Sequence, residues 1–62
     1  MKLSVGETIR ALRRRDGRTQ EALAEVLGVT GQAVSRWESG DTTPTMDKLK
    51  TLARIYGVSL DW

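Results

Sequence analysis

Thr19-Gln-Glu-Ala-Leu-Ala-Glu-Val-Leu-Gly-Val-Thr-Gly-Gln-Ala-Val-Ser-Arg-Trp-Glu38 is the stretch that decides the fold. It holds two helix starts and one helix stop, and a second stop follows at Gly40. Thr19 and Thr30 suit the cap position, where a side-chain oxygen accepts from the orphan amides of the first helical turn. Gly28 and Gly40 suit the stop, because glycine reaches positive φ without a Cβ clash. The stretch therefore predicts two short helices joined by a tight turn. Such a turn sets one helix across the other and leaves a face of the second uncovered, which is the helix-turn-helix arrangement.

The uncovered face has a composition of its own. At about 100° per residue, Ala33, Val34 and Trp37 fall on one side of the second helix. Gly31, Gln32, Ser35, Arg36 and Ser39 fall on the other. Gln and Arg are the side chains that grip base edges with paired hydrogen bonds, glutamine on adenine and arginine on guanine. An ordinary amphipathic helix with a solvated polar face would show the same division. Gly31 counts against that plainer reading: it costs up to about 1 kcal/mol of helix propensity relative to alanine. It makes sense where something large must approach the backbone.

Sixty-two residues allow one domain with a small core. A chain of that length buries only about 60% of the surface its unfolded form exposes. With neither cysteine nor histidine present, disulfides and the usual zinc sites are ruled out as staples. Helix packing is what remains, and the single proline and lack of alternating β-branched runs agree with it. No apolar run approaches the roughly 18 residues of a membrane span, and no signal-peptide pattern opens the chain. A soluble, cytoplasmic protein is expected.

The net charge is only +2, and the distribution says more than the total. Five of the ten basic residues, Arg10, Arg13, Arg14, Arg15 and Arg18, lie within one nine-residue stretch. Arginine suits planar, two-bond contact with phosphate. Cations also sit well at a helix C-terminus, and this run ends a helix. Both readings apply.

That helix is expected over about 5–15. Ser4 and Glu7 form a capping-box pattern, Val5, Ile9 and Leu12 make the inward stripe, and Asp16-Gly17 ends it. The second helix is expected over about 20–27 with Leu23, Ala24 and Leu27 inward, and the third over about 31–38. Ala22 and Val26 are left as an apolar pair outside that stripe, and scattered surface apolars are common. Asp41-Thr-Thr-Pro44 reads as a linker, since proline keeps Thr43 extended. A fourth helix follows a Thr45 cap over about 46–56, with Met46, Leu49, Leu52, Ala53 and Tyr56 inward and Gly57 as its stop. Ser59-Leu-Asp-Trp62 looks like the start of a fifth. The expected fold is all-α, a compact bundle of four to five short helices with the helix-turn-helix at helices 2 and 3.

The chain resembles the Xre/Cro-like helix-turn-helix family of phage repressors and their bacterial relatives, with a lambda-repressor-like bundle. The resemblance is carried by Leu12-Arg13, Thr19-Gln20, Leu23-Ala24, Leu27-Gly28-Val29-Thr30, Val34-Ser35, Trp37-Glu38, Gly40, Pro44, Leu52-Ala53 and Gly57-Val58-Ser59-Leu60-Asp61. Each piece is weak alone, and their order over nearly the whole chain makes the match specific. The apolar Ala22 and Val26 depart from a pattern that is usually polar at those positions.

The resemblance implies sequence-specific binding of double-stranded DNA by a transcriptional regulator of the repressor type. Such a protein would be bacterial or phage-encoded and nucleoid-associated. Helix 3 would lie in the major groove with its N-terminal residues toward the bases. Gln32 and Arg36 are then the first choices for base contact, followed by the Thr30 methyl and Ser35. The resemblance places Gln20 on a phosphate, with Arg18, Thr19, Thr42 and Thr43 as secondary candidates. It pairs Arg13 with Glu38, tying helix 1 to the recognition helix. One short helix reads few base pairs, so a homodimer on an inverted repeat is expected, with half-sites about 34–36 Å apart. Ile55, Leu60 and Trp62 are the candidate dimer residues. The family pattern would continue beyond Trp62, so the fifth helix is taken as only begun: either it is missing or the chain is cut from a longer one. No cofactor, metal or small-molecule ligand is expected within this domain.

An enzyme is not expected, since no His or Cys is present, the core leaves no room for a shielded pocket, and Glu21 and Glu25 form a surface i, i+4 pair. The rival reading is an antitoxin-like or other protein-interaction module on the same scaffold, because fold alone does not settle function.

Overall fold

The computed structural model describes residues 4–58. Four helices follow one another: α1 (Val5–Arg15), α2 (Gln20–Leu27), α3 (Gly31–Ser39) and α4 (Met46–Tyr56). Among the described residues there is no strand. The proposed start of a fifth helix at 59–62 lies outside them.

Each helix begins at a side-chain cap. Ser4, Thr19, Thr30 and Thr45 stand in extended backbone and accept from the amides of Glu7, Ala22, Ala33 and Lys48. Each bond satisfies one amide that the first turn would otherwise leave unpaired. At Ser4 the hydroxyl also donates to Glu7 Oε1 at 3.0 Å, a side-chain bond in place of the backbone arm of the expected capping box. The turn between α2 and α3 depends on Gly28, whose φ of +71° is a conformation that a side chain would strain. The chain then folds back at once, and the Val29 amide donates to the Ala24 carbonyl at 2.9 Å.

The core takes one fully enclosed residue from every helix: Ile9, Leu23, Val34 and Leu52. Leu12, Ala24, Leu27, Trp37 and Tyr56 complete the cluster, with Val5, Val29, Ala33, Leu49, Ile55 and Val58 packed around its edge. Met46 does not belong to it. It was expected inward, yet it is 62% exposed. Met46 is the first residue of α4, one turn beyond Leu49, which is itself only half-buried. The core stops short of the first residue of α4.

Two contacts set the helices against each other in ways that hydrophobic periodicity does not announce. A Cβ on Gly6 would overlap the Trp37 carbonyl oxygen and lie 3.1 Å from that of Glu38. The first turn of α1 is therefore pressed, backbone to backbone, on the last turn of α3. At the other side of the bundle, Lys48 Nζ donates to the Leu27 carbonyl at 2.9 Å. α2 has no basic residue in its own last turn, so α4 supplies the cation that the negative end of that helix favours.

Candidate nucleic-acid interface

The last turn of α3 is fastened by one carboxylate. Glu38 Oε2 accepts from Arg13 Nε at 2.7 Å, and Oε1 accepts from Arg13 Nη2 at 3.0 Å. This is the two-pronged geometry that makes arginine–carboxylate pairs directional as well as strong. Oε1 also accepts from Gln20 Nε2 at 3.2 Å. The third arm of the guanidinium, Arg13 Nη1, donates to the Arg18 carbonyl at 2.9 Å. One side chain of α3 thus holds α1 and the start of α2, while the same arginine pins the loop between them.

The pair is largely withdrawn from water, with side-chain exposures of 14% for Arg13 and 5% for Glu38. Burial by itself would push the Glu38 carboxyl up, but the hydrogen bonds from Arg13 and Gln20, with the charges of Arg13 and Arg10, outweigh it and hold the group below its usual range. Arg13 is raised further above its already high value, chiefly by the hydrogen bond to Glu38. Both stay charged across the physiological range. A carboxylate in the last turn of a helix is disfavoured by the helix dipole, and here Arg13 offsets that cost.

Held this way, α3 presents Gln32, Ser35, Arg36 and Ser39 to solvent. The side chains of Gln32, Ser35 and Arg36 make no hydrogen bond or ion pair among the described residues, whereas Ser39 donates to the Arg36 carbonyl at 3.1 Å. The Thr30 hydroxyl is engaged by the Ala33 amide at 3.1 Å, which leaves its methyl group uncommitted. Gly31 is not part of this open arc. It is half-buried, and a Cβ there would stand 3.0–3.4 Å from the Glu21 side chain. The neighbour that approaches its backbone is a residue of α2.

The residues expected to bind phosphate are placed unevenly. Thr19 is exposed, but its hydroxyl serves as the α2 cap. Gln20 is half-buried and spends one amide hydrogen on Glu38. Arg18 is half-buried, with 35% of its side chain exposed: Nε lies 4.0 Å from Asp16 Oδ2, and Nη1 is buried without a hydrogen bond. Tyr56 Oη is likewise buried, with Arg18 as its polar neighbour but no hydrogen bond of good geometry. Burial raises the Tyr56 phenol above its ordinary range, although the neighbouring Arg18 pulls the other way. Thr42 and Thr43 are exposed and line a cleft of about 250 Å³ with Ser4, Gly6, Trp37 and Pro44. Ile55 is half-buried against the core rather than free at the surface. Leu60 and Trp62 lie outside the described residues.

Sequence patterning marks neither Gly6 nor Lys48 as a site residue. The signal for Gly6 was available, since a glycine early in an otherwise strong helix calls for a close neighbour. Lys48 carried none, because any lysine on a helix looks solvated.

A four-helix unit with a capped, charge-clamped third helix turned toward solvent defines the class. The match of a helix-turn-helix family model over residues 9–62 shows the same thing from sequence, and the chain belongs to that family, in its Xre/Cro-like branch. It is 39% identical over 59 residues to the HTH-type transcriptional activator BcrR of Enterococcus faecalis, covering 95% of this chain and 29% of that one. It is 38% identical over 60 residues to the HTH-type transcriptional regulator DicA of Escherichia coli, covering 97% and 44%. Its fold superimposes on the c2 repressor of Salmonella phage P22, crystallised with a synthetic operator, at a TM-score of 0.87 and 35% identity, covering 97% and 91% of the two chains. The chain thus spans less than half the length of BcrR and DicA.

Proposed function

We propose that this chain is the DNA-reading unit of a transcriptional regulator, with α3 in the major groove. The observation that carries this is the exposed arc of Gln32, Ser35 and Arg36, all uncommitted, on a helix whose angle is fixed by the Arg13–Glu38 clasp. Gln32 and Arg36 read base edges. Ser35 and the Thr30 methyl make smaller contacts. Gln20, Thr19, Thr42 and Thr43 face the backbone, and such contacts set register without reading sequence. Support comes from the P22 c2 repressor, whose structure was obtained with an operator. The relatives include both an activator and a repressor.

The complex is read as a homodimer on an inverted repeat, working in the cytoplasm. Selection from random duplexes tests this directly. An inverted repeat with half-sites about 34–36 Å apart supports it, and a single ungapped half-site overturns the dimer. Arg36→Ala should cost about 1–3 kcal/mol and relax discrimination at one base pair. Equal loss on every sequence, measured by competition, would remove Arg36 from the reading set.

A second reading, a surface for a partner protein, rests on Val26, which is 52% exposed beside half-buried Ala22. Complete absence of duplex binding at low salt would favour it.

A further inference from the structure

The arginine run of α1 and its following loop is not one surface. Gly6, Arg10 and Arg13 stand at i, i+4 and i+7, which on a helix is a single stripe. Both ends of that stripe meet the last turn of α3: Gly6 against the Trp37 and Glu38 carbonyls, Arg13 on the Glu38 carboxylate. Arg10 lies between them, so it too must border the seam between α1 and α3. Yet Arg10 is exposed and makes no hydrogen bond or ion pair among the described residues. Its charge is felt at Glu38, which agrees with this placement.

Arg14 is exposed as well, about 80° around α1 from Gly6 against about 40° for Arg10, and so stands further from the seam. Arg13, Arg15 and Arg18 are disposed differently. Arg13 is consumed by Glu38, and Arg18 is folded toward Asp16 with one nitrogen buried. Arg15 is exposed, but at about 100° per residue it falls about 180° around α1 from Gly6, on the face away from α3.

A helix with its side chains is about 10–12 Å across, and the major groove is about 12 Å wide. A helix seated there fills the groove, so an exposed cation beside its last turn is within reach of the phosphate wall. From this geometry we infer that Arg10 contacts the DNA backbone beside the C-terminal turn of α3, and that Arg18 does not. The inference rests on the reading of α3 as the groove-bound helix.

Affinity of the 62-residue chain for sheared genomic duplex DNA, measured over a range of salt, tests it with three neutralisations that change net charge equally. Arg10→Ala should lower the slope of log affinity against log salt by about 0.9, the value of one phosphate contact. Arg15→Ala and Arg18→Ala should leave the slope as in the parent, while Arg18→Ala lowers Tm. Arg10→Lys should restore the slope, and circular dichroism melts verify that Arg10→Ala is folded. An unchanged slope in Arg10→Ala overturns the inference while the reading of α3 stands. So does an equal drop in Arg15→Ala, which would mean that only total charge matters. Failure of the parent chain to bind duplex at low salt overturns both.

Discussion

Glycines at positions 6 and 31 look alike in sequence and differ in what they face. A methyl group at Gly6 meets backbone carbonyls of α3, which cannot move without shifting a helix. At Gly31 it meets the Glu21 side chain, which has an exposed, flexible end free to swing aside. Gly6→Ala should therefore destabilise by about 1–3 kcal/mol, the usual cost of overpacking. Gly31→Ala should be neutral or stabilise by up to about 1 kcal/mol through helix propensity. Thermal melts of the two variants decide it, and a lower Tm for Gly6→Ala with none lost in Gly31→Ala is the expected result. Glu38 gives a second test at this scale. Its folded carboxyl is held below the usual range, so its contribution is present above the unfolded value of about 4.3 and is lost as pH falls through the folded value. Glu38→Gln should be less stable than the parent at pH 7, and the gap should close as the solution is acidified below about pH 4. A gap that stays constant down to pH 3 would mean that the carboxylate is not the stabilising species.

The helices themselves were readable because their punctuation is strong. Each cap threonine or serine and each stop glycine acts within one turn, so local chemistry fixes the bounds, and α3 runs only one residue past its expected end. The core stripe was readable for the same reason, apart from Met46. Periodicity assigns a side chain to a face but does not say how far along the helix its packing partner extends. The Arg13–Glu38 pair was expected only through family resemblance, because partners 25 residues apart leave no periodic trace. Nor could the chain order show that Arg18 would be half-buried while Arg10 stays free. That distinction depends on where the loop after α1 comes to lie. Lys48 belongs to the same group. Its bond to the Leu27 carbonyl ties α4 to the end of α2, and Lys48→Met should keep the stem packed while removing the charged bond. Such bonds contribute about 1.5–3 kcal/mol, so a loss of unfolding free energy of that order is expected, read as a lower urea midpoint at an unchanged m-value.

At the scale of the molecule, two copies on neighbouring half-sites would be close but not overlapping. The Cα envelope measures 27 × 24 × 22 Å, against a centre-to-centre spacing of about 34–36 Å on one helical turn of DNA. Side chains fill part of the difference, so contact between copies would be narrow. Ile55 is half-buried at the edge of the core, so only part of its side chain is open to such a contact. The fold also has consequences for how the motif can be handled. Residues 19–40 carry both helices of the turn, but three of the contacts that set their geometry come from outside: Gly6 under α3, Arg13 on Glu38 and Lys48 on Leu27. Isolated helices shorter than about 12–15 residues are marginal in water, and α2 and α3 have only 8 and 9. A synthetic peptide of residues 19–40 should show little helical circular dichroism, even though every cap and stop it needs is present. Transplanting this reading head onto another scaffold would accordingly require three graft points, a glycine, an arginine and a lysine, delivered from two further helices. The motif is contiguous in the chain, but it is not portable.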